Sequence, residues 1–325
     1  MVTSVIHHLL MAPDEQPRMD APPVTILEML EHSRLGLEPL DPRGQPWLLQ
    51  TDLGQAILRR SKATLDQVAW LHRFLARLAA SGFPAPRPLP LLNGASLALV
   101  EGETWETLSF LPGRALLWDS RVPLESAGAL LAQFHDLSLL ISPPEQRPEA
   151  LPMDACRPRS AKTIAERFQR DLLDARYNAA RRCVLHGDCT LSNMLVDEQC
   201  ERVSALIDFT LAHLGPPEAD IGFALWVTGR TERLAVSLDA TRMRAFVAGY
   251  HRARPLGARA AEAIPLYLVG RGLQLLVRLE RAGVGGELRE LQLSRLRWLA
   301  QHRPWLEEVV TSALALDGGV RRQSG

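Results

Sequence analysis

Between Cys183 and Phe209 the chain alternates short apolar runs with polar turns in a way that leaves little freedom of fold. Cys183-Val-Leu delivers His186-Gly187-Asp188, and a polar loop follows. Asn193 lies five residues after Asp188 and opens a second apolar run, Met194-Leu-Val196. Asp197 to Arg202 is a polar turn, and Val203 to Ile207 returns as a strand that ends at Asp208. Short apolar runs bounded by turn residues read as buried strands. Strands at both ends pin the loop, so Asp188, Asn193 and Asp208 are expected to converge at one edge.

A carboxylate, an amide oxygen and a second carboxylate are hard oxygen donors. Mg²⁺ takes a few such protein oxygens and completes its shell with phosphate oxygens and water. Phosphoryl transfer uses this kind of set, with one carboxylate reserved for the attacking hydroxyl. On this reading Asp188 orients the acceptor hydroxyl and takes its proton. Asn193 and Asp208 hold the metal, and His186 braces the loop through hydrogen bonds. Asp and Asn are also ordinary turn residues. Ordinary turns, however, do not require His-Gly-Asp, the five-residue step and the strand-then-Asp ending together.

The flanking sequence supplies the rest of a fold. Trp47–Leu49 and Ala56–Leu58 read as two strands around a turn at Thr51-Asp52-Leu53-Gly54. Thr64 reads as the N-cap of a helix whose apolar residues Leu65, Val68, Leu71, Leu75 and Leu78 recur at helical spacing. Gly82 stops it, and Pro84, Pro86, Pro88 and Pro90 force an extended segment. Leu97–Val100 and Thr104–Phe110 read as a hairpin. After Leu111-Pro112-Gly113 the chain turns helical, through Leu124–Leu137 and Ile164–Leu172, with a Pro-rich charged surface loop at 141–160 between them. Residues 231–310 are helical again, with breaks expected near Pro255, Pro265 and Gly283 to Gly286. No internal repeat or low-complexity segment occurs.

Composition narrows the function classes. Of the 37 basic residues only Lys62 and Lys162 are lysines, and 37 acids balance them. A zero formal charge argues against a general nucleic-acid or membrane-surface binder. Cys156, Cys183, Cys189 and Cys200 form no C-x-x-C pair and are expected to be reduced thiols of a cytoplasmic protein. Met1 to Met11 lacks the pattern of a secretory signal, and no run approaches the ~18 apolar residues of a membrane span. No motif speaks to oligomeric state. Trp70, Trp105, Trp118, Trp226, Trp298 and Trp305 are expected in the core or a cleft wall, and Cys189 as a small filler of the loop.

His-Gly-Asp-x-x-x-x-Asn-x-Leu followed by Ile-Asp-Phe resembles the aminoglycoside phosphotransferase/choline kinase-like family, relatives of the protein kinases. Ala56-Ile-Leu-Arg59, Gly82-Phe-Pro-Ala-Pro86, Phe110-Leu-Pro-Gly113 and Gly215-Pro-Pro-Glu-Ala-Asp220-Ile-Gly222 are also similar to it. The resemblance spans about residues 45–250. It implies a two-lobed protein-kinase-like α+β fold. Its small lobe is an antiparallel sheet with one helix, and its larger lobe is mainly helical. The implied boundaries are a lead-in at 1–23, a nucleotide-binding lobe at 24–105, a hinge at 106–113, a catalytic and acceptor-binding lobe at 114–316 and a tail at 317–325. ATP or GTP with Mg²⁺ and a small-molecule hydroxyl substrate follow, with no nucleic-acid or membrane partner. Asp220 is expected to steady the catalytic loop, and His135 to be a satisfied structural histidine.

The sequence departs from that pattern on the nucleotide side. Kinases place a lysine on the third strand, paired to a helix glutamate; here the strand ends in Arg59-Arg60. Arg59 is the candidate phosphate anchor, since arginine grips phosphate through two parallel hydrogen bonds. Residues 64–80 hold no glutamate, only Asp66 and His72, and no G-x-G-x-x-G occurs. These gaps favour the alternative of a weak or inactive kinase-like scaffold, while the Asp188, Asn193 and Asp208 set opposes it. A protein kinase is a third reading, opposed by the His-Gly-Asp form and the lack of an activation segment. For the acceptor, residues 231–317 carry 13 arginines, no lysine and 9 acids. That excess argues against a polycationic aminoglycoside and leaves a neutral or acidic hydroxyl metabolite, such as a homoserine-like amino alcohol or a sugar.

Overall fold

The computed structural model describes residues 22–30, 34–40, 46–51, 54–61, 63–120, 122–141, 158–176, 182–199, 201–257 and 259–315. The expected lead-in through residue 21, most of the 141–160 loop, Lys62, Cys156, Cys200 and the tail at 317–325 lie outside them. The chain forms two compact units, Met1–Pro112 and Gly113–Gly325.

The first unit is built on an antiparallel sheet of five strands: β1 (Arg34–Pro39), β2 (Trp47–Thr51), β3 (Gly54–Ser61), β4 (Leu97–Val100) and β5 (Glu103–Ser109). Their order is β1-β2-β3-β5-β4. Glu101 and Gly102 both take positive φ, 53° and 78°, which suits the tight turn joining β4 to β5. A one-turn helix, α1 (Val24–Glu28), precedes the sheet, and α2 (Leu65–Ala80) follows β3. The Thr64 side chain accepts from the Gln67 backbone N–H while the Gln67 side chain accepts from Thr64 N–H, a reciprocal cap that fixes where α2 starts. Ile26, Leu30, Trp47, Leu49, Leu58, Leu91, Val100 and Trp105 share one apolar core on the sheet.

Three details differ from the sequence reading. The unit holds a second, short helix besides α2, because one turn is too short to show a period. β1 was not foreseen, since Gly36 interrupts it and Pro39 ends it, as tolerated only at a sheet edge. β5 runs through residue 105, where the nucleotide-binding lobe was expected to end.

The second unit combines two small sheets with helices. β7 (Cys183–Leu185) pairs with β10 (His213–Gly215), and β8 (Met194–Val196) lies between β6 (Arg114–Ala115) and β9 (Val203–Leu206). The helices are α3 (Leu124–Ile141), α4 (Lys162–Arg176), α5 (Pro217–Thr228), α6 (Ala240–Ala253), α7 (Ala260–Arg281), α8 (Gly286–Gln301) and α9 (Arg303–Ala315). Pro265 does not break the chain as expected but lies inside α7. The bond it forfeits is to the Ala261 carbonyl near the helix start, and Ala261 is half-buried. α7 is long and apolar enough to cross a membrane by length and composition, but 83% of its apolar stretch is buried within the protein, as in a core helix. Trp70, Trp105 and Trp226 are buried, and Trp118, Trp298 and Trp305 are half-buried.

α3 and α6 approach backbone to backbone. A Cβ on Gly128 would lie 2.0 Å from the Phe246 carbonyl oxygen, and one on Gly249 would lie 2.1 Å from that of Glu125. No side chain can move aside there, so Gly249→Ala is expected to destabilise the protein by at least ~2 kcal/mol, read as a lower chemical-denaturation midpoint. A change inside ~0.5 kcal/mol contradicts this packing. The close approach matters for function because it brings Tyr250 of α6 onto His135 of α3.

Candidate active site

The His186–Asp208 segment begins at the end of β7. Gly187 has φ of +75°, and a Cβ there would lie 2.2 Å from the Leu211 carbonyl oxygen, so only glycine fits between His and Asp. Asp188 N–H donates to His186 Nδ1 at 3.3 Å, and His186 Nε2 donates to the Ile207 carbonyl at 3.0 Å. His186 thus ties the start of the loop to the end of β9. The Ile207 N–H in turn donates to the Asn193 carbonyl at 2.9 Å, which sets Asn193 beside the residue that precedes Asp208.

Asn193 Nδ2 donates to the Asp188 backbone carbonyl at 2.8 Å and to Asp188 Oδ2 at 3.4 Å. The amide nitrogen is therefore spent on the loop, and Asn193 Oδ1 is the end left to meet a ligand. Asp208 adopts the left-handed conformation, φ 60° and ψ 70°. Among the described non-glycine residues only Glu101 shares a positive φ. Such strain persists where the surroundings hold it. Here Thr210 donates to Asp208 Oδ1 through its backbone N–H at 3.4 Å and through its hydroxyl.

Asp188 is buried and takes a hydrogen bond on Oδ1 from Arg271 Nη2 at 2.9 Å. Burial pushes its carboxyl above the ordinary range; Arg271 opposes that rise, and the negative charge of Asp208 adds to it. No group of three or more His, Cys, Asp or Glu that could hold a metal occurs among the described residues. Asn193 and Asp208 are too few for an all-protein cage, and fit instead an ion whose remaining ligands are phosphate and water.

Beneath the loop, Asp220 in the first turn of α5 is fully buried. Its Oδ2 accepts from the His186 N–H at 2.6 Å, and its Oδ1 from the Gly187 N–H at 3.0 Å. His135 Nε2 reaches the same carboxylate at 3.1 Å, and His135 Nδ1 meets the Tyr250 hydroxyl at 2.7 Å. Arg254 Nη1 donates to that hydroxyl at 3.0 Å, and Arg254 Nε donates to Asp136 at 2.7 Å. Since Arg254 can only donate, Tyr250 has its proton free to give to His135 Nδ1, and His135 Nε2–H points at Asp220. Burial raises the Asp220 carboxyl, but the hydrogen bonds from the His135 side chain and the His186 backbone outweigh it and leave it below the usual range. The Cys189 thiol, also buried, is driven well above its ordinary value by burial and by Asp220 and Asp188, so it is an inert filler.

In the first unit, Arg59 and Glu106 are direct cross-strand partners on β3 and β5. Arg59 Nε donates to Glu106 Oε1 at 2.8 Å, while His72 of α2 meets Glu106 Oε2 at 2.7 Å and Ser96 Oγ at 2.8 Å. Burial raises the Glu106 carboxyl, but Arg59 and His72 together leave it below the usual range. The acid absent from the helix is thus supplied by a strand, and the helix contributes His72. Glu106 and Arg271 were missed in the sequence. Register could have paired Arg59 with Glu106, whereas nothing local marks Arg271, 83 residues beyond Asp188.

The phosphotransferase enzyme family (APH) model matches residues 44–256. The chain is 27% identical over 248 residues to a homoserine kinase of Methylobacterium nodulans, covering 71% of this chain and 75% of that one. Its fold is similar to that of a microcompartment-associated aminopropanol kinase, with a TM-score of 0.64 at 21% identity over 90% of this chain and 99% of that one. The amicoumacin kinase hAmiN, in complex with AMP-PNP, Ca²⁺ and Ami, has a TM-score of 0.65 at 16% identity, covering 88% and 92%. These likenesses fit the two-lobed, kinase-like α+β architecture that the sequence implied. The chain belongs to the APH phosphotransferase enzyme family, and is by that family a small-molecule kinase.

Proposed function

We propose that the protein transfers the γ-phosphoryl group of ATP (or GTP), with Mg²⁺, to a hydroxyl of a small neutral or acidic metabolite. The observation that carries this reading is the loop in which Asn193 turns its amide nitrogen onto Asp188 and keeps Oδ1 for a ligand beside the strained Asp208. Asp188 accepts the hydroxyl proton as the acceptor oxygen bonds to the γ-phosphorus. The bond from that phosphorus to the β,γ-bridging oxygen breaks, and the nucleoside diphosphate leaves. Asn193 and Asp208 hold the metal, which when bound neutralises charge on the β- and γ-phosphates. Arg59 contacts the phosphates, held in place by Glu106. Asp220 fixes the loop through the backbone of His186 and Gly187. The scaffold alternative drew its support from the missing Lys–Glu pair, and the bonds of Arg59 and His72 to Glu106 weigh against it.

MgATP is expected to raise the melting temperature of the wild-type protein, with the shift lost on chelation. Asp208→Ala is expected to weaken MgATP affinity by at least ~10-fold, the lower end of what removing even an outer-shell partner of a metal ligand costs. An unchanged magnesium-dependent shift in Asp208→Ala would overturn the metal assignment.

A further inference from the structure

We propose that Arg271 is the specificity residue of the acceptor site, and that it selects hydroxyl compounds carrying a carboxylate near the reacting hydroxyl. The inference rests on the phosphotransfer reading above, which makes Asp188 the group that meets the acceptor. Arg271 lies in α7 with its side chain only 4% exposed. Its guanidinium stands over the Phe223 ring, 5.1 Å from the centroid, and one nitrogen, Nη2, donates to Asp188 Oδ1. A guanidinium carries five N–H donors in a rigid fork. Among the described residues Asp188 is the sole hydrogen-bond acceptor Arg271 meets, and the contact is single rather than forked. Most of the fork is therefore unspent, and no Arg271 nitrogen is among the buried polar atoms left without a partner, so the unspent donors face solvent where a ligand can meet them.

The position says what meets it. An acceptor hydroxyl has to come within hydrogen-bond reach of Asp188 to lose its proton. Any such acceptor also lies within about 5 Å of the Arg271 fork, the span of two hydrogen bonds in sequence. The planar fork matches two carboxylate oxygens in parallel. The local charge permits it: Arg278, two turns further along α7, also acts on Asp188, and Asp208 acts against the two arginines. The two arginines offset the two carboxylates, so a carboxylate on the acceptor meets no net repulsion there.

A purely structural Arg271 would hold Asp188 ionised and treat all acceptors alike. The test therefore compares acceptors that differ only by a carboxylate, homoserine with 3-aminopropan-1-ol and glycerate with ethane-1,2-diol, in wild type, Arg271→Lys and Arg271→Gln. Arg271→Lys keeps a charge beside Asp188 but loses the fork. The wild type is expected to favour the carboxylate-bearing member of a pair. Both variants should lower kcat/KM for that member by on the order of 10²-fold, mainly through KM, and lower it for the carboxylate-free member by ~10-fold or less. An equal loss for both members, or a wild type that favours the carboxylate-free member, overturns the proposal. Binding is read separately by thermal shift with each compound alone. Stabilisation by the carboxylate-bearing compound that disappears in Arg271→Gln upholds the carboxylate site even if no phosphate is transferred, and in that case the phosphotransfer reading fails alone. A wild type stabilised by neither carboxylate-bearing compound overturns the carboxylate site and leaves the phosphotransfer reading to its own test.

Discussion

Replacing Asp188 by Asn or Ala should lower kcat by at least ~10³-fold, within the range general-base groups contribute, while the protein stays folded and still binds MgATP. Burial has already raised this carboxyl, and only Arg271, His186 and Arg278 restrain the rise. A carboxylate held above its unfolded value costs the native state stability once the pH exceeds that unfolded value, because the unfolded chain ionises it more easily. Asp188→Asn removes that cost and still offers Arg271 a carbonyl acceptor. Its melting temperature should therefore equal or exceed that of the wild type, the usual trade between stability and an active-site charge. A variant that loses turnover by unfolding, or one that keeps wild-type turnover, contradicts the role given to Asp188.

Asp220→Ala should have the largest effect on stability, a loss of about 4 kcal/mol, because it strips a buried carboxylate from several donors at once. His135 Nε2 and the backbone N–H groups of His186 and Gly187 would all be left without their acceptor in a dry interior. Loop geometry depends on the same bonds, so turnover should collapse with stability. The Asp220 carboxyl sits below its unfolded value, which fixes the sign of its pH dependence. Its stabilisation is full above the unfolded value near pH ~4 and is lost as the pH falls through the lower folded value. Denaturant midpoints measured from neutral pH into this acid range should fall more for wild type than for Asp220→Asn. Parallel curves would contradict the assignment.

How much of this was legible in the sequence follows from how local each signal is. α2 could be placed to the residue because Thr64 and Gln67 cap it from within four positions and its apolar period is unbroken. The strands around His186 and Asp208 were legible because short apolar runs between polar turns have few other solutions. β1 was not, since its glycine and terminal proline weaken the strand pattern. Pro265 misled because the sequence does not say that the forfeited bond falls near a helix start. The partners of the site residues were the least legible. Asn193 and Asp188 meet within one loop, but Glu106 reaches Arg59 only through the β3–β5 register. Arg271 reaches Asp188 only once α7 has packed against α5, through contacts such as those of Gly222 with the Ile264 and Leu268 backbone. Long-range packing of this kind leaves no mark on the local sequence, so Arg59 read as lacking an acid partner when Glu106 lay across the sheet on β5.

The central claim is that this chain phosphorylates a small hydroxyl compound through Asp188. It is tested most directly by incubating the protein with ATP, Mg²⁺ and a pool of small hydroxyl metabolites and reading the pool by mass. The expected result is at least one pool member that gains a single phosphoryl group, with one nucleoside diphosphate formed per product. That product should vanish on chelation of the metal and in Asp188→Asn. A pool left unmodified by folded wild-type protein, or the same product formed at the wild-type rate by Asp188→Asn, would contradict the account.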